Sequence, residues 1–141
     1  MKFEEFSIGD HYVTETVTVT KEEIIEFAEK YDPQYFHIDE EAAKESPYGS
    51  LIASGFHSLA VVWAEWVRKD ILGSDCLGGV GAEIQWKAPV RPNDQLTGEF
   101  TVVDKKQASN GKRGLLTIDV VIKNQNEQKI LTSNTDVFVA V

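Results

Sequence analysis

The chain has 141 residues, 42% of them apolar and 26% charged, with a formal net charge of −9. That length suits one domain with its own core, and the balance is that of an ordinary soluble globular protein. The acidic surplus argues against nucleic acid, which needs clustered Lys and Arg, though a few local cations can still meet a small anion at short range.

In chain order, His11 to Thr20 alternates, with Thr14, Thr16, Thr18 and Thr20 on one face and Val13, Val17 and Val19 on the other. That period predicts a strand. Thr20 and Glu23 form a capping-box pattern, in which each satisfies the other's free backbone donor. Ile24, Phe27, Ala28 and Tyr31 then fall at helical spacing, and Pro33 ends that helix at Asp32. Asp32 to Ile38 reads as an ordered loop, Asp39 as the cap of a short helix through Glu45, and Ser46 to Ser50 as a turn. Ser54 is the expected N-cap of the longest helix, Gly55 to about Leu72. Its side chains are apolar nearly all round, which predicts burial on most sides.

Four strands follow. Gly79 to Trp86 is ended by the Pro89 and Pro92 punctuation, and Gln95 to Lys106 and Lys112 to Lys123 flank Asn110-Gly111, a hairpin signal because both residues tolerate positive φ. Lys129 to Val139 returns after a turn at Asn124 to Glu127. A wrapped helix with an antiparallel sheet is an α+β layer solution in a single domain, residues 1–141.

Cys76 stands alone, so no intrachain disulfide and no thiolate metal cluster can form, which fits a reducing compartment. The first residues lack the apolar core of a secretion signal, and the most apolar stretch, Leu59 to Val67, is too short to cross a bilayer. The expectation is a cytoplasmic protein without a membrane partner.

The chemistry concentrates in Tyr31-Asp32-Pro33-Gln34-Tyr35-Phe36-His37-Ile38-Asp39. A carboxylate and an imidazole five positions apart on a proline-stiffened loop can hold a water between them, one accepting a proton while the other donates. The same residues also read as a helix terminator and a carbonyl-bonding ring, and residue types alone leave both readings open.

This stretch resembles the MaoC-like dehydratases and (R)-specific enoyl-CoA hydratases. Asp32, His37 and Glu41-Ala42-Ala43-Lys44 stand where that family has an Asp, a His five residues later and an Ala-rich short helix. The likeness continues through Ser46-Pro47-Tyr48-Gly49, Leu51-Ile52-Ala53-Ser54-Gly55-Phe56 and Trp86-Lys87-Ala88-Pro89-Val90-Arg91-Pro92-Asn93-Asp94. It implies a hotdog fold, in which a sheet wraps a central helix, usually as a homodimer with the pocket near the subunit boundary. It further implies hydration of a 2-enoyl thioester, or dehydration of a 3-hydroxyacyl thioester, carried by CoA or acyl carrier protein. Asp32 and His37 would jointly manage the water and its protons, without metal or redox cofactor. The amide of Gly55 would meet the thioester oxygen, where free N–H groups and the positive end of a helix favour negative charge.

Two positions depart from the pattern: Ser54 stands where the family often has His, and Trp63 where some members have a pocket serine. Trp63 reads as core; lining a cavity, it would shorten the acyl channel. His57, two residues after Gly55, reads either as a pocket residue or as a buried, hydrogen-bonded histidine. Lys87 and Arg91 are candidate contacts for CoA phosphates. Two other functions stay open: a hotdog acyl thioesterase, and a non-catalytic module that binds acyl thioesters.

Overall fold

The computed structural model describes every residue, Met1–Val141. Two short strands, β1 (His11–Val13) and β2 (Val17–Thr18), lead into helix α1 (Lys21–Tyr31). Short helices α2 (Tyr35–Ile38) and α3 (Glu40–Lys44) precede the longest helix, α4 (Gly55–Arg68). Strands β3 (Cys76–Trp86), β4 (Gln95–Gln107), β5 (Arg113–Lys123) and β6 (Lys129–Ala140) complete the chain. Every pairing is antiparallel, in the order β1-β4-β5-β6-β3, with β2 also on β4. This is the α+β arrangement that the pattern predicts.

The alternation of β5 sets the inner face. Leu116, Ile118, Val120 and Ile122 are buried, as are Leu131, Val137 and Val139 on β6. Helix α4 lies against this face through Val62 and Trp66, and the Trp66 ring stacks on Phe100 at 4.5 Å and 5°. Gly98 lets the helix come down: a Cβ there would stand 2.5 Å from Val62 Cγ1.

Several local expectations need correction. The first strand is broken, because Thr14 turns inward and its hydroxyl accepts the Gly98 amide at 2.9 Å. Val13 is therefore exposed while Val19 is buried, so the two do not share a face. Thr20 does accept the Glu23 amide, but the Glu23 carboxylate accepts a hydrogen bond from the Thr20 hydroxyl at 2.9 Å instead of from its backbone N–H. The loop after Asp32 contains the helical turn α2. Asp39 caps α3 as expected, accepting the Ala42 amide at 3.0 Å, though α3 stops at Lys44. Helix α4 ends at Arg68, before Asp70 with φ of 59°, and β3 begins at Cys76. At the hairpin only Gly111 takes positive φ; Asn110 accepts the Lys112 amide with its side chain, making a wider loop.

The expected burial of α4 on most sides leaves one side open. One side packs on the sheet, but Phe56 and Val67 are 57% and 60% exposed. They neighbour β3, which pairs only with β6 and exposes Leu77, Val80 and Trp86. A single chain has no layer to cover that side. No helix is long and apolar enough to cross a membrane.

Candidate active site

Asp32 closes α1: its amide reaches the Ala28 carbonyl at 2.9 Å, and its φ of −159° leaves the helical region as Pro33 requires. The side chain turns back toward the start of α4. Oδ1 accepts Gln34 Nε2 at 2.8 Å, and Oδ2 accepts the Ser54 hydroxyl at 2.8 Å. Burial pushes this carboxyl up, but the hydrogen bonds from Gln34 and Ser54 and the neighbouring His37 outweigh it and hold it below the usual carboxylate value.

His37 is buried on the single turn α2, its ring set edge-on to Phe36. Nδ1 lies 2.6 Å from the Ile52 carbonyl. A carbonyl only accepts, so Nδ1 is the donor of that bond and Nε2 is the ring nitrogen turned toward Asp32. That Nε2 stands 3.4 Å from Asp32 Oδ2. The two side chains thus converge, both hydrogen-bonded to the buried segment Leu51–Ser54 that enters α4.

At the mouth of α4 the first amides have no partner within the helix. Ser54 does not cap them. It holds the N-cap position as expected, but its hydroxyl donates to Asp32 and accepts no first-turn amide. Gly55 opens α4, and the indole of Trp86 occupies the place where a side chain at Gly55 would be. A Cβ at Gly55 would lie 2.0 Å from Trp86 Nε1. Neither Trp86 nor Gln34 was singled out from the sequence. Gln34, two residues after Asp32, is a local pairing that spacing could have flagged; the contact of Trp86 with Gly55 spans the fold and left no local signal.

The remaining candidates lie apart. His57 is buried against α1, stacked on Phe27 at 4.7 Å, but Nδ1 has no hydrogen-bond partner, which corrects the reading of a satisfied core histidine. Burial holds its pKa below the ordinary value, with Glu23 opposing. Lys87 Nζ donates to Gln85 at 2.8 Å, beside an apolar cleft of about 240 Å³ formed by Tyr48, Ile52, Ala53, Trp86 and their neighbours. The Arg91 guanidinium bonds the Tyr48 carbonyl at 2.8 Å and the Ser50 hydroxyl. Trp63 is half-buried, tilted against Phe100, and lines a separate cleft with Trp66, Val67, Val137 and the exposed Cys76. Neither of these two clefts is lined by Asp32 or His37.

Comparison with known proteins agrees with the fold. A family model described as "MaoC like domain" matches residues 3–124. The chain is 34% identical over 142 residues to the uncharacterised protein YdeM of Bacillus subtilis, covering 99% of each. It shares 45% identity over 47 residues with 3-hydroxyacyl-thioester dehydratase Z of Mycobacterium tuberculosis, 33% of this chain and 31% of that one. Among solved structures, a MaoC-like dehydratase from Rhodospirillum rubrum superposes with a TM-score of 0.93 at 32% identity, over 99% of this chain and 97% of that one.

Proposed function

Because the chain belongs to the MaoC-like domain family, we propose that it adds water to a trans-2-enoyl thioester, or removes it from a 3-hydroxyacyl thioester, with Asp32 and His37 handling the water. The observation that carries this reading is the approach of Asp32 Oδ2 to His37 Nε2 at 3.4 Å, with the opposite ring nitrogen tied to Ile52. With Nε2 unprotonated, a water seated against both atoms meets two acceptors, an ionised carboxylate and an imidazole lone pair. One of them takes its proton as the oxygen bonds to C3. The C2=C3 π pair then moves toward the thioester oxygen, and the proton held by the pair is delivered to C2. The first amides of α4 are the donors for that oxygen, because the positive end of the helix favours the charge that develops there.

The site is completed by a second copy of the chain in this reading. Exposed Phe56, Val67, Leu77 and Val80 form an apolar side next to an unpaired strand edge, and an edge of that kind is normally covered. The acyl chain and its CoA or carrier-protein arm then lie where the two copies meet.

Loss of the conjugated enoyl absorbance of crotonyl-CoA tests the reaction. Asp32→Asn and His37→Ala are each expected to lower the rate by about 100-fold or more while the circular dichroism spectrum of the folded chain is kept. Wild-type rates in both variants would defeat the assignment. Release of free thiol would indicate thioester hydrolysis instead, and binding without turnover at any chain length would indicate an accessory module.

A further inference from the structure

Ser54 stands where an N-cap serine accepts a hydrogen bond from its own first turn, yet its hydroxyl makes none there. It reaches across 22 positions of sequence to Asp32 Oδ2 at 2.8 Å. The hydroxyl's residue is fully buried, so water reaches that bond only from the carboxylate side. Gln34, which holds the other carboxylate oxygen, is itself exposed. The backbone of Ser54 is itself fixed, because its carbonyl accepts the Ser58 amide at 3.1 Å and the Ser58 hydroxyl at 3.4 Å.

Resting on the hydratase reading, we propose that Ser54 is a positioning residue whose hydroxyl clamps the Asp32 carboxylate to the start of α4, aiming Oδ2 at His37 Nε2 and leaving the first amides of the helix uncapped for the substrate oxygen. Two consequences follow from the same bond. Asp32 sits at a helix end before a proline, and Ser54 supplies its side chain with a fully buried hydrogen-bond donor. A donated hydrogen bond also favours the ionised carboxylate against the burial that opposes it. The only titratable group whose charge bears on Asp32 is His37, while Gln34 and Ser54 are neutral.

The test is an NMR titration of the Asp32 carboxyl carbon in the full chain, beside the pH profile of kcat/KM for crotonyl-CoA. Ser54→Ala is expected to move the Asp32 midpoint to higher pH and the acid limb of the profile with it. It lowers kcat about ten- to a hundredfold and leaves KM nearly unchanged. Ser54→Cys, nearly isosteric but a weak donor, gives a smaller rise in the same direction and keeps the claim testable if the alanine variant does not fold. Gln34→Ala moves the midpoint less than either. An unchanged midpoint in a folded Ser54 variant, or a larger shift from Gln34→Ala, overturns the proposal. The titration needs no turnover, so a wild type inert toward every enoyl thioester removes the hydratase reading and still leaves the clamp decided.

Discussion

The indole of Trp86 lies directly against the bare Cα of Gly55, filling the space that any other residue would need for its side chain. Trp86 ends the edge strand β3 and Gly55 opens α4, so this contact ties the exposed side of the sheet to the mouth of the central helix. The Phe56 ring, 5.2 Å from Trp86 and nearly perpendicular to it, extends the contact outward.

Gly55→Ala therefore forces the indole aside and is expected to cost about 1–3 kcal/mol, the usual range for overpacking. Trp86→Ala in the same chain removes the clash. Chemical denaturation of both single variants and the double variant reads the coupling directly, and simple additivity would show that the two residues do not meet as described.

Asp32 makes stability depend on pH at the acid end. Its folded pKa lies below the unfolded value, so its contribution is present above the unfolded value and disappears as pH falls through the folded one. Urea midpoints measured from neutral pH downward are expected to fall more steeply in the wild type than in Asp32→Asn. Parallel curves would contradict the hydrogen-bonded, ionised carboxylate.

His57 acts nearer neutrality. Burial depresses its folded pKa from 6.5, so the unfolded chain takes up the proton first and stability declines as pH drops below that value. His57→Gln, which cannot titrate, is expected to flatten this part of the curve below pH 6.5. The difference between the two proteins isolates the ring from the carboxylates.

Covering β3 with a second copy predicts a dimer in sedimentation velocity. Val80→Lys and Leu77→Lys place a charge on the exposed edge and are expected to yield monomers that remain folded by circular dichroism. A wild type that sediments as a monomer at micromolar concentration would remove the completed-site reading.

The core permits one further expectation. Trp66 stacks flat on Phe100 between α4 and β4, and Trp66→Ala is expected to cost about 3–5 kcal/mol, measured by denaturation, because the cavity has rigid walls on both sides.

Much of this protein is written locally. The alternation of Leu116, Ile118, Val120 and Ile122 specifies which face of β5 turns inward, because a strand's side chains repeat every two residues. Pro33 ends α1 at Asp32 through steric exclusion of the helical region, and Asp39 caps α3 through its own side chain. The spacing of Asp32 and His37, with the segments around Ser54 and Trp86, also carried the family resemblance. Long-range encounters were decided elsewhere. Ser54 is an N-cap by every local rule, yet its hydroxyl donates to a carboxylate 22 residues away. Thr14 breaks a regular alternation because Gly98, far along the chain, offers its amide. Gly55 is bare for the sake of Trp86. Periodicity, capping and turn chemistry depend on neighbours in sequence, whereas a buried hydroxyl or a glycine answers to whichever distant group the folded chain brings within 3 Å.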